Sequence, residues 1–251
     1  LGVTKDEKLA FLWYKKGAEA DDPLAMCGLA NCYSRSNVNT NNLNLAYSWY
    51  KKAADKNSEG GYYGLAYCYN EGIGIPQDKN KAFELYKKAA SAGNVNAYLY
   101  LAYCYKTGTN TEINDFKAFQ MYLNAANAGS TDAMSYVAYL YQQGTGITQS
   151  YSSALKWYTK AAQAGNIPSM VNTGISHFYG YGTEINKSEA LKWYIEAAKA
   201  GDVDMMYTVG KYYYLGIGTE VNYTSAVRWL QNGSKAGSPD AMYLLGYCLE
   251  Y

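Results

Sequence analysis

Apolar and polar residues along this chain alternate with the period of a helix, and that pattern itself recurs every 36 residues. Trp13, Trp49, Trp157, Trp193 and Trp229 stand in one register, with Leu85 and Met121 at the two steps between them. Three residues earlier the same register holds Ala10, Ala46, Ala82, Ala118, Ala154, Ala190 and Ala226 without exception. One residue later come Tyr14, Tyr50, Tyr86, Tyr122, Tyr158 and Tyr194, with Leu230 ending the series. Positions three and four apart share a helix face, so this stripe predicts a helix, B, over about 79–92 and its equivalents. A second stripe, exemplified by Ala97, Leu101, Ala102 and Tyr105, predicts a helix, A, over about 95–107. The invariant alanine admits only a small side chain, and the tryptophan three residues on fills the wider gap beside it. A tryptophan buried there predicts a cost of about 3 to 5 kcal/mol for Trp→Ala.

Helix ends follow from local chemistry. Asp22, Ser58, Asn94, Ser130, Asn166, Asp202 and Ser238 occupy one repeat position; Asp6, Asn42, Asp78, Asn114, Ser150, Asn186 and Asn222 occupy another. All are N-cap types, whose side-chain oxygen accepts an otherwise orphan first-turn N–H. Gly93, Gly129, Gly165, Gly201 and Gly237 end the B helices, where a left-handed residue is needed. Asn57 replaces glycine once, and Asp21 departs from it at the first step. Turns such as Gly72-Ile73-Gly74, Gly144-Thr145-Gly146, Gly180-Tyr181-Gly182 and Gly216-Ile217-Gly218 join A to B. The expectation is an all-α solenoid of antiparallel helix pairs forming a single domain, 1–251. It holds six complete units, about 22–57, 58–93, 94–129, 130–165, 166–201 and 202–237, with half units at 1–21 and 238–251. Because the chain starts at Leu1 inside a repeat, it is read as an excerpt of a longer protein.

Charge narrows the partners. Lys+Arg is 22 against Asp+Glu 21, so neither nucleic acid nor an anionic membrane is the expected partner. No apolar run approaches the roughly 18 residues of a membrane span, and no secretory leader is visible. Cys32, Cys68, Cys104 and Cys248 share one repeat position and read as core fillers. Equivalent residues of stacked helices lie roughly 8 to 10 Å apart, beyond the about 7 Å reach of a disulfide. Cys27 and Cys32 point to different sides of one helix. Unpaired thiols favour a reducing compartment, hence a cytoplasmic location.

Candidate chemistry is sparse. His177, the one histidine, fills the slot held elsewhere by Tyr33, Tyr69, Tyr105, Tyr141 and Tyr213. No second histidine forms a metal pair with it, and it is the only candidate base for a serine or cysteine nucleophile. The Gly-x-Gly turns lack the Lys-Ser/Thr of a phosphate loop, and Asp202-Val203-Asp204 lacks the glycine and terminal Glu of a calcium loop. Catalytic residues, metal ligands and cofactors are therefore expected to be none, and the protein is expected not to be an enzyme. The sequons at Asn186, Asn222 and Asn232 fall in or at helix B.

Ala154-Leu155-Lys156-Trp157-Tyr158-Thr159-Lys160-Ala161-Ala162-Gln163-Ala164-Gly165 and its equivalent 190–201 resemble the helix B signature of the Sel-one-like repeat family, a relative of the tetratricopeptide hairpins. Ala66-Tyr67-Cys68-Tyr69-Asn70-Glu71-Gly72-Ile73-Gly74 and Gly246-Tyr247-Cys248 resemble its helix A signature. The resemblance covers the whole chain. It implies a right-handed superhelix with helix A on the concave side, a role as a protein-binding adaptor, and no catalytic residues. The paired cysteines of the disulfide-stapled members are absent.

On a helical wheel Asn96, Leu99, Tyr103 and Lys106 lie opposite the repeat-defining side of helix A. Translated through the repeats, that side collects Tyr63, Tyr207 and Tyr243 at one site and Tyr67, Tyr103, Tyr139 and Tyr247 at the next. Phe178 and Tyr214 add a third site, Tyr100 and Tyr136 flank them, and Lys211 stands in the second series among polar neighbours such as Asn70, Asp132 and Gln142. Tyrosine supplies rigid contact area and a hydroxyl, which binding surfaces favour. Three functions are open. The first is a monomeric scaffold binding a protein or peptide in a tyrosine groove; the others are a glycan or cell-wall-fragment binder and a regulatory segment of a larger enzyme or kinase.

Overall fold

Two helix starts per repeat produce fourteen helices among the residues that the computed structural model describes, 6–35 and 40–250. They gather into two compact units, Leu1–Ala128 and Gly129–Tyr251. The first holds α1 (Glu7–Glu19), α2 (Pro23–Arg35), α3 (Thr40–Asp55), α4 (Glu59–Glu71), α5 (Lys79–Ser91), α6 (Val95–Thr107) and α7 (Asp115–Asn127). The second holds α8 (Thr131–Gln143), α9 (Tyr151–Gln163), α10 (Ile167–Tyr179), α11 (Lys187–Lys199), α12 (Val203–Leu215), α13 (Tyr223–Lys235) and α14 (Pro239–Glu250). Even-numbered helices are the A type and odd-numbered the B type. Within each unit every A helix packs on the B helix that follows it. None of these helices is long and apolar enough to cross a membrane.

The expected caps form, with one exception. Asp6, Asp22, Ser58, Asp78 and their equivalents each accept the backbone N–H three residues on, as Asn94 Oδ1 does from Ala97 at 2.9 Å. Asn42 is the exception: α3 already begins at Thr40 and carries Asn42 inside it. The stretch before α3 has no Gly-x-Gly to delay the helix. Asn57 and Asp21 adopt positive φ, 59° and 71°, so the first two repeat positions use an aspartate and an asparagine where the later five use glycine. A short polar side chain tolerates the left-handed region by bonding locally. In the A-to-B turn the second glycine has a steric duty: a Cβ on Gly218 would stand 2.3 Å from the Lys187 carbonyl oxygen. The turn thereby rests directly on the start of the preceding B helix.

The core runs between the two helix layers of each unit. Ala46, Ala82, Ala118, Ala154, Ala190 and Ala226 are buried as expected, while Ala10 in α1 is exposed. The expected burial of the tryptophans holds only in part. Trp13 is 60% exposed, and Trp49, Trp157, Trp193 and Trp229 are half-buried. Lysine ammoniums three residues on stand over three of the rings, at 4.0 Å for Lys52 on Trp49, 4.5 Å for Lys160 on Trp157 and 4.9 Å for Lys16 on Trp13. The deep position is the next one along the helix. Tyr50, Tyr86, Tyr158, Tyr194 and Leu230 are buried, one step of about 100° further round the wheel and facing helix A. A Cβ on Gly64 would sit 2.0 Å from the Tyr50 ring and one on Gly174 would sit 2.4 Å from Tyr194, so a bare backbone admits each ring.

All five cysteines are free thiols. Only Cys68 and Cys104 are fully buried core fillers; Cys27, Cys32 and Cys248 are half-buried. Burial pushes the Cys68 thiol up to about 12 and raises that of Cys104.

Candidate functional site

In the first unit, helices α4 and α6 present Tyr67 and Tyr103 at equivalent positions, 42% and 54% exposed. Tyr63 and Tyr100 are held lower. Tyr100 stacks on the buried Tyr86 ring with centroids 3.9 Å apart and donates its hydroxyl to Asn70 Oδ1 at 2.9 Å. Tyr63 meets Tyr86 edge-on at 5.5 Å. Two rings of the expected face thus form its wall, and two stand free of it. A cavity of about 640 Å³ opens beside Tyr63 and Tyr67, lined also by Asn31, Tyr50 and neighbours. The Tyr50 hydroxyl donates to Asn31 Oδ1 at 2.6 Å, which fixes that amide at the cavity wall. Burial raises the phenols of Tyr50, Tyr63, Tyr86 and Tyr100, so all four remain neutral hydrogen-bonding groups near neutral pH.

In the second unit, Tyr136 and Tyr139 of α8 lie with ring centroids 5.7 Å apart. They line a cavity of about 350 Å³ with Asp132, Ser135, Tyr158 and Asn172. Tyr158 donates to Gln142 Oε1 at 3.0 Å, and burial pushes its phenol up to about 12. Further along, the Lys211 ammonium stands 5.8 Å from the Tyr207 ring. Tyr243 and Tyr247 of α14 are exposed, and Tyr214 meets Tyr247 edge-on at 6.3 Å and Tyr223 of α13 at 5.5 Å. Phe178 is set apart from the others. It packs against Tyr179 and Tyr212, with Lys187 of α11 5.6 Å from its ring, so it belongs to the seam between helices.

Two features of this surface escape the repeat pattern. Asn70 and Gln142, expected at the groove edge, are engaged in holding Tyr100 and Tyr158. Tyr151, Tyr181 and Tyr179 form a ladder of exposed rings with centroids 5.4 and 5.7 Å apart, contributed by two helices and the turn at Gly180 to Gly182. Its only signal in the sequence is the Tyr-Gly-Tyr-Gly run at 179–182.

Helix hairpins repeated in register, several of the A helices carrying a tyrosine-rich face, define the class: an all-α helical-repeat protein. The chain belongs to the Sel1 repeat family, whose model matches residues 1–22, 23–58, 61–94, 95–130, 131–166, 167–202, 203–238 and 239–251. Proteins of that family are generally interaction scaffolds and generally non-catalytic. Among solved structures, a protective antigen of uropathogenic Escherichia coli strains displaying the SLR fold is 30% identical with a TM-score of 0.78, over 96% of this chain and 51% of that one. This chain therefore spans about half the length of that antigen. A Sel1 repeat protein from Oxalobacter formigenes is 29% identical with a TM-score of 0.63, over 85% of this chain and 88% of that one. No curated protein matches the chain.

Proposed function

We propose that this chain is a non-enzymatic scaffold whose A-helix tyrosine face binds an extended peptide or a helix of a partner protein. The observation that carries this reading is the exposure of Tyr67 and Tyr103 at equivalent repeat positions, Tyr67 at the 640 Å³ cavity, with Tyr139 in the same repeat position of the second unit. Exposed tyrosines lose little side-chain entropy on binding and dominate many interfaces. The Asn31 amide and the neutral phenols supply hydrogen bonds to a peptide backbone or side chain.

The test is a Tyr103→Ala/Tyr139→Ala double variant. Each truncation of a dominant interface tyrosine costs about 1 to 2 kcal/mol, so affinity for a partner purified from the native host falls at least about tenfold. Far-UV circular dichroism stays unchanged because both rings are exposed. An unaltered Kd contradicts the reading. A glycan ligand is the second reading, favoured by the exposed Tyr151, Tyr181 and Tyr179 ladder, because flat aromatic rings also stack on sugars. Selective binding to a glycan array, lost in Tyr181→Ala, would reverse the order.

A further inference from the structure

The near-neutral total conceals a segregation of charge between the helix layers of the second unit. Its B helices, α9, α11 and α13, carry seven lysines and arginines against Glu189 and Glu196 alone. Its A helices carry Lys211 against Asp132, Asp204, Asp240 and Glu250. Both acids of the B layer are already engaged: Glu189 pairs with Lys192 and Glu196 with Lys199, each at 2.8 Å. Helices α9 and α13 contain no acid at all, and Lys156, Lys160 and Arg228 form no ion pair among the described residues.

These cations border two cavities with aromatic floors. One, about 510 Å³, is lined by Trp157 and Leu155 with Lys156, Lys160 and His177, and by the hydroxyl residues Ser152, Thr159 and Thr183. The other, about 690 Å³, is lined by Trp229, Ile195 and Met206 with Arg228, Lys199, Ser225 and Asn232. Neither lining includes a carboxylate. Both volumes lie in the range that receives side chains or small ligands. The tryptophans are half-buried beneath their charged rims, so they are recessed, whereas a membrane-binding face projects its apolar residues outward.

We infer that the B-helix face of the second unit is a separate docking surface for an acidic peptide segment that alternates carboxylates with apolar side chains. The carboxylates meet Lys156, Lys160 and Arg228 at the rims, and the apolar side chains enter the cavities over Trp157 and Trp229. Charge complementarity at the rim sets partner choice and association rate, while the aromatic floor supplies the desolvated contact. This surface is on the opposite helix layer from the tyrosine face, so one scaffold can hold two partners.

The probe is a short fluorescein-labelled peptide alternating Glu with Leu and Phe, titrated against the full chain by fluorescence anisotropy. Saturable binding is expected, weakening as salt is raised. Lys156→Glu/Lys160→Glu and, separately, Arg228→Glu each weaken it at least tenfold; all three side chains are exposed, so the fold is retained. Trp157→Ala weakens it as well, Tyr139→Ala leaves it unchanged, and the Lys-for-Glu peptide does not bind. The inference is overturned by no saturable binding, by charge-reversed variants that bind as tightly as the parent, or by equal binding of the Lys-for-Glu peptide. It is also overturned if only anionic vesicles or an oligonucleotide bind this face. Loss of binding in Tyr139→Ala with the Lys156→Glu/Lys160→Glu chain unaffected would assign the peptide to the tyrosine face and sink this inference alone.

Discussion

Adjacent residues on α9 offer a sharp comparison of deep and shallow aromatic positions. Tyr158 is 4% exposed, faces α8 and donates to Gln142. Trp157, the residue that defines the repeat by eye, is half-buried at a cavity with Lys160 over its ring. Tyr158→Ala removes a fully packed ring and should cost about 3 to 5 kcal/mol. Up to about a third of the Trp157 surface stays in water, so Trp157→Ala forfeits only part of the transfer gain, together with a cation–π contact worth about 0.5 to 1 kcal/mol. The expected loss is about 2 to 3 kcal/mol, below that of Tyr158→Ala despite the larger side chain. Urea unfolding followed by far-UV circular dichroism measures both without relying on tryptophan emission, and midpoints are compared where the slopes agree. A Trp157→Ala variant destabilised as much as Tyr158→Ala would refute the assignment of the deep position to the tyrosine.

Three further outcomes follow from buried polar and titratable groups. Ser169 is fully buried and its hydroxyl makes no hydrogen bond among the described residues, in a slot that is alanine at Ala97 and Ala133; Ser169→Ala should stabilise by about 1 kcal/mol in the same urea assay. The Tyr158 phenol, ordinarily at 10.0, is pushed up to about 12 by burial, so the unfolded chain loses this proton first as pH rises. Its contribution is complete below pH 10 and disappears between about 10 and 12, a loss of about 2 kcal/mol that Tyr158→Phe should remove from the alkaline stability profile. Cys68 and Cys104 should resist a disulfide reagent in the native chain and react on unfolding, because burial disfavours both thiolates; fast native labelling of either would contradict their placement.

Much of the fold was legible because its determinants are local. A cap such as Asn94 or Asp78 needs only its own oxygen and the N–H three residues on, so composition at one position fixes a helix start. Asn42 misled because the residue type suits a cap while the preceding turn lacks the glycines that set the boundary elsewhere. Burial depth was less legible. Trp157 and Tyr158 differ by one step on the helix, and the period does not say which of them the neighbouring helix covers: α8 buries Tyr158 without a glycine, whereas Gly64 and Gly174 admit the equivalent Tyr50 and Tyr194. On the A-helix face, periodicity placed Tyr67 and Tyr103 outward but could not tell that Tyr100 would lie down on Tyr86. The Tyr151, Tyr181 and Tyr179 ladder joins residues from different helices and a turn, and no single helical period contains it.

The central claim, that the A-helix tyrosine face receives the partner, is tested most directly by site-specific photo-crosslinking. A photoreactive phenylalanine placed in turn at Tyr103, Tyr139 and the opposite-layer residue Lys88 reports which layer a protein partner touches in the native complex. Crosslinks to the partner at 103 and 139, absent at 88 and suppressed by excess unlabelled partner, are the predicted result. Crosslinking at 88 with none at 103 or 139 would contradict the account.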